Sequence, residues 1–192
     1  TYISRGVMFG SRSKYLSATN PSNDDISTYR SFAISALIGE SSPELVDLNL
    51  LTNGNGVSMS TSNGRMHLNS EVYNGFFYKL TRSPGPTSGP DNYAYDKGIS
   101  YNWITIGHVK NGWNDGLQIT FSYNKYQNVT TSLVNSTFYL DGYKTGRSNW
   151  YAENSSEPYI VHTAFFNSFN VYTGCDGKYC NDRKWESSLR EW

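Results

Sequence analysis

Charge is sparse in this 192-residue chain, where sixteen Lys and Arg are balanced by sixteen Asp and Glu to a formal net charge of zero. No Lys/Arg cluster stands out, so the concentrated positive field that nucleic acid or an anionic membrane requires is missing, and neither is an expected partner. Long hydrophobic runs are missing too. None approaches the roughly 20 residues of a membrane span, which argues against membrane insertion. No signal-peptide pattern opens the sequence, so an exported protein would be in its mature form. The three histidines, His67, His108 and His162, have no ligand spacing with one another, and no metal or other cofactor is expected. No G-x-S-x-G elbow anchors a hydrolase triad. Gly54-Asn-Gly56 lacks the third glycine and the βαβ setting of a dinucleotide loop.

Only two cysteines occur, Cys175 and Cys180, in Thr-Gly-Cys-Asp-Gly-Lys-Tyr-Cys-Asn. The favoured reading is a small disulfide pinning this loop, which implies an oxidising compartment; the alternative is a pair of free thiols. Three sequons, at Asn128, Asn135 and Asn154, agree with a secreted or cell-surface protein carrying glycans.

Tyr, Phe, Trp, Gly, Asn, Ser and Thr make up for the missing charge, a balance that suits a β-rich, exported surface. Turn signals recur along the chain: Asn53–Gly56, Asn63-Gly64, Asn74-Gly75, Asn111-Gly112, Asp115-Gly116, Asp141-Gly142 and Asp176-Gly177. Strands are predicted between them, at Met66–Leu80, Tyr101–His108, Leu117–Asn124, Ser136–Leu140 and Glu157–Phe166. Many short strands with Gly/Asn turns predict an all-β fold, a β-jelly roll or two-sheet antiparallel sandwich. Residues 1–192 read as a single domain, since no linker divides them. One or two short helices are expected. Ser42-Pro43-Glu44 offers an N-cap, a proline and an acid ahead of Leu45, Val46 and Leu48. Trp185, Leu189 and Trp192 share one face of a possible terminal helix. Asn20–Asp25 reads as a loop.

The chemistry left to consider is carboxylates among aromatics. Sugar rings stack their apolar faces on Tyr and Trp, and their hydroxyls suit Asn, Gln and Tyr. Glu157 heads an aromatic, β-branched strand, on the same face as Tyr159, Val161 and Thr163 by strand alternation. Glycoside hydrolysis with retention needs a second carboxyl about 5 Å away. Glu71, in Asn69-Ser-Glu-Val-Tyr, is the other acid in strand context.

The stretch 73–174 resembles part of the family 11 endo-β-1,4-xylanases. Asn74-Gly-Phe-Phe-Tyr is similar to that family's NGYYY strand. Asn102-Trp103-Ile-Thr-Ile-Gly107 and Gly112-Trp113-Asn-Asp-Gly116 resemble its NW...G and GW.PG. Ile119-Thr-Phe-Ser falls where the family has INYSG, and Asn135–Tyr143 aligns without gaps to NSYLSVYGW. Glu157-Pro-Tyr-Ile-Val and Phe169-Asn-Val-Tyr-Thr-Gly are similar to EYYIV and GTYNPSTG. The resemblance implies a jelly roll with an aromatic cleft and a cofactor-free retaining mechanism. In it Glu157 stands at the nucleophile position and Tyr159 lines the site, with Glu71 the best remaining candidate for the acid/base. The pattern also departs from the family. Asp141 replaces the YGW tyrosine, and Pro158 replaces a tyrosine beside Glu157. The PSI.G and EGY segments, the second of which carries the acid/base glutamate, have no counterpart.

Three readings follow. The first is a secreted glycoside hydrolase acting on a β-1,4-linked polysaccharide, or a descendant that keeps the scaffold without the reaction. The second is a non-catalytic glycan-binding lectin, adhesin or viral-spike-type receptor-binding domain, with Trp113, Tyr143, Asp141, Tyr159 and Trp150 at its site. The third is an interaction module presenting a Tyr-rich face to protein.

Overall fold

The computed structural model describes residues 20–40, 44–82, 102–124, 128–152, 159–166 and 172–177. One helix, α1 (Asn23–Ile38), precedes strands β1 (Leu45–Asp47), β2 (His67–Leu68), β3 (Glu71–Val72), β4 (Gly75–Arg82), β5 (Asn102–Lys110), β6 (Trp113–Asn124), β7 (Thr130–Leu140), β8 (Tyr143–Tyr151), β9 (Ile160–Phe166) and β10 (Tyr172–Gly177). Eight strands form one sheet in the order β1-β4-β5-β6-β7-β8-β9-β10, and β2 and β3 form a separate two-stranded sheet. Apart from this helix and one 3-10 turn the described residues are β-structured, in keeping with the expected all-β sandwich or jelly-roll class. From β4 to β10 every neighbouring pair is antiparallel; β1 runs parallel to β4.

Two turns set the register of the meander. Asn111 and Gly112 both have positive φ (53° and 79°), as do Asp141 and Gly142 (49° and 85°). Two successive left-handed residues match the twist of a hairpin, and Asn-Gly and Asp-Gly adopt that conformation most cheaply. The first turn joins Lys110 to Trp113, the second Leu140 to Tyr143. Asp115-Gly116 and Asp176-Gly177, expected as turns, lie instead within β6 and β10.

Strand alternation then separates two cores. Ile104 and Ile106 of β5, with Leu117, Ile119 and Phe121 of β6, pack against Tyr29, Ala33 and Leu37 of α1. Each such fully buried side chain contributes about 2 kcal/mol. On the opposite face, Phe77 and Val109 pack with Leu48, Leu51, Met66 and Tyr73. Tyr29 also donates its hydroxyl to the Leu117 carbonyl at 2.7 Å, and the Arg30 guanidinium lies 5.6 Å from the centre of the Phe121 ring.

One loop expectation and one helix expectation are corrected. The helix starts at Asn23, inside the segment read as a loop. Ser22 caps it: the Ser22 hydroxyl accepts from the Asp25 N–H, and the Asp25 carboxylate accepts from the Ser22 N–H. That capping box, together with Ile26, Tyr29, Ala33 and Leu37 along one side, outweighs the polar Asn/Asp run. The helix expected over Leu45, Val46 and Leu48 is not formed. Leu45–Asp47 is a strand, with Leu45 in the α1 core and Val46 against the other, a period of two that a helix cannot supply. Only Leu48–Leu50 forms a short 3-10 turn. The Trp185–Trp192 helix lies outside the described residues.

Gly107 tests this packing. A Cβ placed there would lie 2.6 Å from two Phe77 ring atoms, and Phe77 is itself buried. Gly107→Ala is expected to cost about 1–3 kcal/mol, read as a lowered urea midpoint. An unchanged midpoint would mean that Phe77 does not cross Gly107 as described.

Candidate functional site

Three of the expected binding residues meet at one end of the sheet. The Asp141-Gly142 turn folds onto the first residues of β6, where the Gly142 N–H donates to the Asn114 carbonyl at 2.8 Å. The Trp113 ring covers that turn so closely that a Cβ at Gly142 would stand 3.1 Å from its Cε3. Tyr143 follows directly. Trp113 is 40 % exposed and Tyr143 50 %, which places both among the exposed large hydrophobic side chains of the described residues. Asp141 is exposed at the tip, and its N–H approaches the Asp115 carboxylate at 3.5 Å.

Asp115 is the functional candidate the sequence reading missed, because Asp115-Gly116 looked like a turn. Its carbonyl also lies 3.1 Å from Nδ1 of His108. Two polar atoms bordering this cluster, Oδ1 of Asn114 and Oγ1 of Thr145, are buried without a hydrogen-bond partner. Each costs on the order of 1–3 kcal/mol.

The other expected residues lie elsewhere. Tyr159 is 62 % exposed beside the far end of β8, where its carbonyl accepts from the Ala152 N–H. Tyr143 begins β8 and Tyr151 ends it. Eight residue steps at about 3.3 Å put Tyr159 roughly 26 Å from the Trp113–Tyr143 end. Glu71, exposed on β3, belongs to the Trp113 end: the surrounding segment is tied to the Asn111-Gly112 turn by Met66 N–H to Gly112 O and Gly112 N–H to Tyr73 O. Glu71 and Tyr159 therefore do not share a site. Glu157 lies outside the described residues, as do Asn154 and Cys180.

Trp150 is half-buried near the end of β8, away from the Trp113 cluster, its ring 5.2 Å from that of His162. Cys175 is disulfide-bonded. Asn128 is exposed. Asn135 is half-buried on β7, where its amide nitrogen, the atom a glycan would take, donates to the Asn149 carbonyl at 2.8 Å. Among the described residues no three His, Cys, Asp or Glu side chains come together as a metal would require. No described helix is long and apolar enough to cross a membrane.

Fold and site together describe an all-β protein with an exposed aromatic and acidic cluster at one end of its main sheet. No family model, curated protein or solved structure matches the chain.

One buried titratable group gives a pH prediction. His162 is 1 % exposed, and burial lowers its pKa below the ordinary 6.5, with Asp176 acting in the opposite direction. The unfolded chain takes up this proton as pH falls through 6.5, whereas the folded protein resists it. Stability is therefore complete above 6.5 and declines as pH falls toward the folded value. An NMR titration should place the His162 midpoint below 6.5, and a midpoint above it would show that Asp176 outweighs burial.

Proposed function

We propose that this protein is an exported, carbohydrate-directed β-sheet protein that binds glycans through the Trp113–Asp141–Tyr143 end of its main sheet. The observation that carries this reading is the seating of the Trp113 ring on the Asp141-Gly142 turn. It leaves two partly exposed rings, Trp113 and Tyr143, beside the carboxylates of Asp141 and Asp115. Aromatic faces stack on the C–H faces of pyranose rings, and carboxylates accept from sugar hydroxyls. The disulfide at Cys175 supports an oxidising, extracellular setting.

Binding is put ahead of hydrolysis because two exposed rings and two carboxylates come together at the Trp113 end of the sheet, whereas Glu71 and Tyr159 stand at opposite ends. The likeness of residues 73–174 to family 11 xylanases keeps a β-1,4-linked polysaccharide the first ligand class to try.

The test is titration calorimetry with xylan and β-glucan oligosaccharides, preceded by a glycan array to choose the ligand. Trp113→Ala and Tyr143→Ala are each expected to weaken binding roughly tenfold, about 1.4 kcal/mol, while Tyr159→Ala leaves it unchanged. Loss of binding in Tyr159→Ala alone would move the site to the other end of the sheet. Release of reducing sugar that disappears in Glu157→Gln would replace the binding reading with hydrolysis. No binding to any glycan would overturn the carbohydrate reading.

A further inference from the structure

Five Asn-Gly steps occur in the chain, at 53–54, 55–56, 63–64, 74–75 and 111–112. Each can in principle deamidate without an enzyme. The glycine backbone nitrogen attacks Cγ of the asparagine amide, a nitrogen–carbon bond forms, and ammonia leaves with the side-chain nitrogen and the glycine N–H proton. Water then opens the resulting succinimide at either carbonyl to give aspartate or isoaspartate. The reaction needs an asparagine amide that can turn toward the backbone and a glycine nitrogen that is not already donating.

Four of the steps are held against it. The Asn53 side-chain oxygen accepts from the N–H groups of Asn55 and Val57 at 2.9 and 3.0 Å. The attacking nitrogen at the next step, Gly56, donates to the Asn53 carbonyl at 2.9 Å. The Asn74 side-chain oxygen accepts from the Asn111 N–H at 2.7 Å. At the last step the Gly112 N–H donates to the Tyr73 carbonyl at 2.9 Å, and Gly112 is buried. Asn63 differs from all of these. Its side chain is exposed, and neither its amide nor the Gly64 nitrogen has a hydrogen bond among the described residues. The glycine there answers a backbone need, with φ at +135°, a conformation that L side chains rarely adopt.

We propose that Asn63 is the site of spontaneous deamidation in the folded protein, the place where it acquires a carboxylate or an isoaspartyl linkage with time. The change falls two residues before Arg65, whose Nε donates to the Asn111 carbonyl at 2.9 Å. The lesion is thereby tied to the turn that precedes Trp113.

The experiment is incubation of the intact protein in mildly alkaline buffer, followed by peptide mapping with mass detection and isoaspartyl-specific methylation. In the native protein Asn63 should convert at least about fivefold faster than each of the other four, the population factor of breaking one hydrogen bond. In concentrated urea the five rates should converge, and Asn63→Gln should remove the leading product. Another Asn-Gly step leading in the native protein would overturn the proposal. So would a lead of Asn63 that persists unchanged in urea, because local sequence rather than the fold would then set the rate.

Discussion

The left-handed residue pairs at Asn111-Gly112 and Asp141-Gly142 carry the register of the main sheet. A slip of one residue would send every side chain of the affected strand to the opposite face. Ile104, Ile106, Ile119 and Phe121, all fully buried, would then leave the α1 core, and Thr105, Thr120 and Gln118 would enter it. The same two turns create the exposed end of the sheet. One begins the strand that Trp113 heads, and the other is the surface its ring covers. Core packing and the proposed site thus depend on the same backbone conformations.

Some of the chain's Asn, Ser and Thr residues are interior. Ser136, Thr137, Ser148, Asn149 and Thr163 are all buried, and each is paired. The Ser136 and Tyr151 hydroxyls lie 3.0 Å apart, and those of Thr137 and Ser148 2.7 Å apart. Asn149 accepts from Thr163 and donates to Asn20, fastening the chain ahead of α1 onto β8. Paired buried polar groups of this kind contribute modestly in net terms, but losing one partner exposes the other to its full desolvation cost. The low charge content that suggested an exported surface also reflects a sheet whose middle strands are joined by hydroxyl and amide contacts.

The strands were legible because their signals are local. Leu117–Asn124 alternates, and Asn111-Gly112 and Asp141-Gly142 mark the β5–β6 and β7–β8 hairpins. The strand at 143–151 was not predicted, since Lys144, Arg147, Ser148 and Asn149 show no apolar alternation; pairing with β7 and β9 makes it a strand. Leu45–Asp47 carried a helix-start signal and became a strand, because Leu45 and Val46 each fill a different core. The helix at Asn23 was legible in its capping box and overlooked because Asn and Asp also favour loops. Among site residues, Trp113, Asp141 and Tyr143 could be named from their residue types. Their meeting could not, because Trp113 and Asp141 are 28 positions apart in sequence (141 − 113).

By itself the sequence determined the all-β class, the two primed turns and the aromatic and acidic residue types available for a ligand, since these rest on period-two patterning and on the backbone freedom of Gly, Asn and Asp. The tertiary structure alone decided which of those residues face one another. It joined Trp113, Asp115, Asp141 and Tyr143, and it put Tyr159 and Glu71 at opposite ends of the sheet. The reason is physical: alternation gives the face on which a side chain lies, whereas its neighbours across the sheet follow from strand order and register, which only the packed sheet defines.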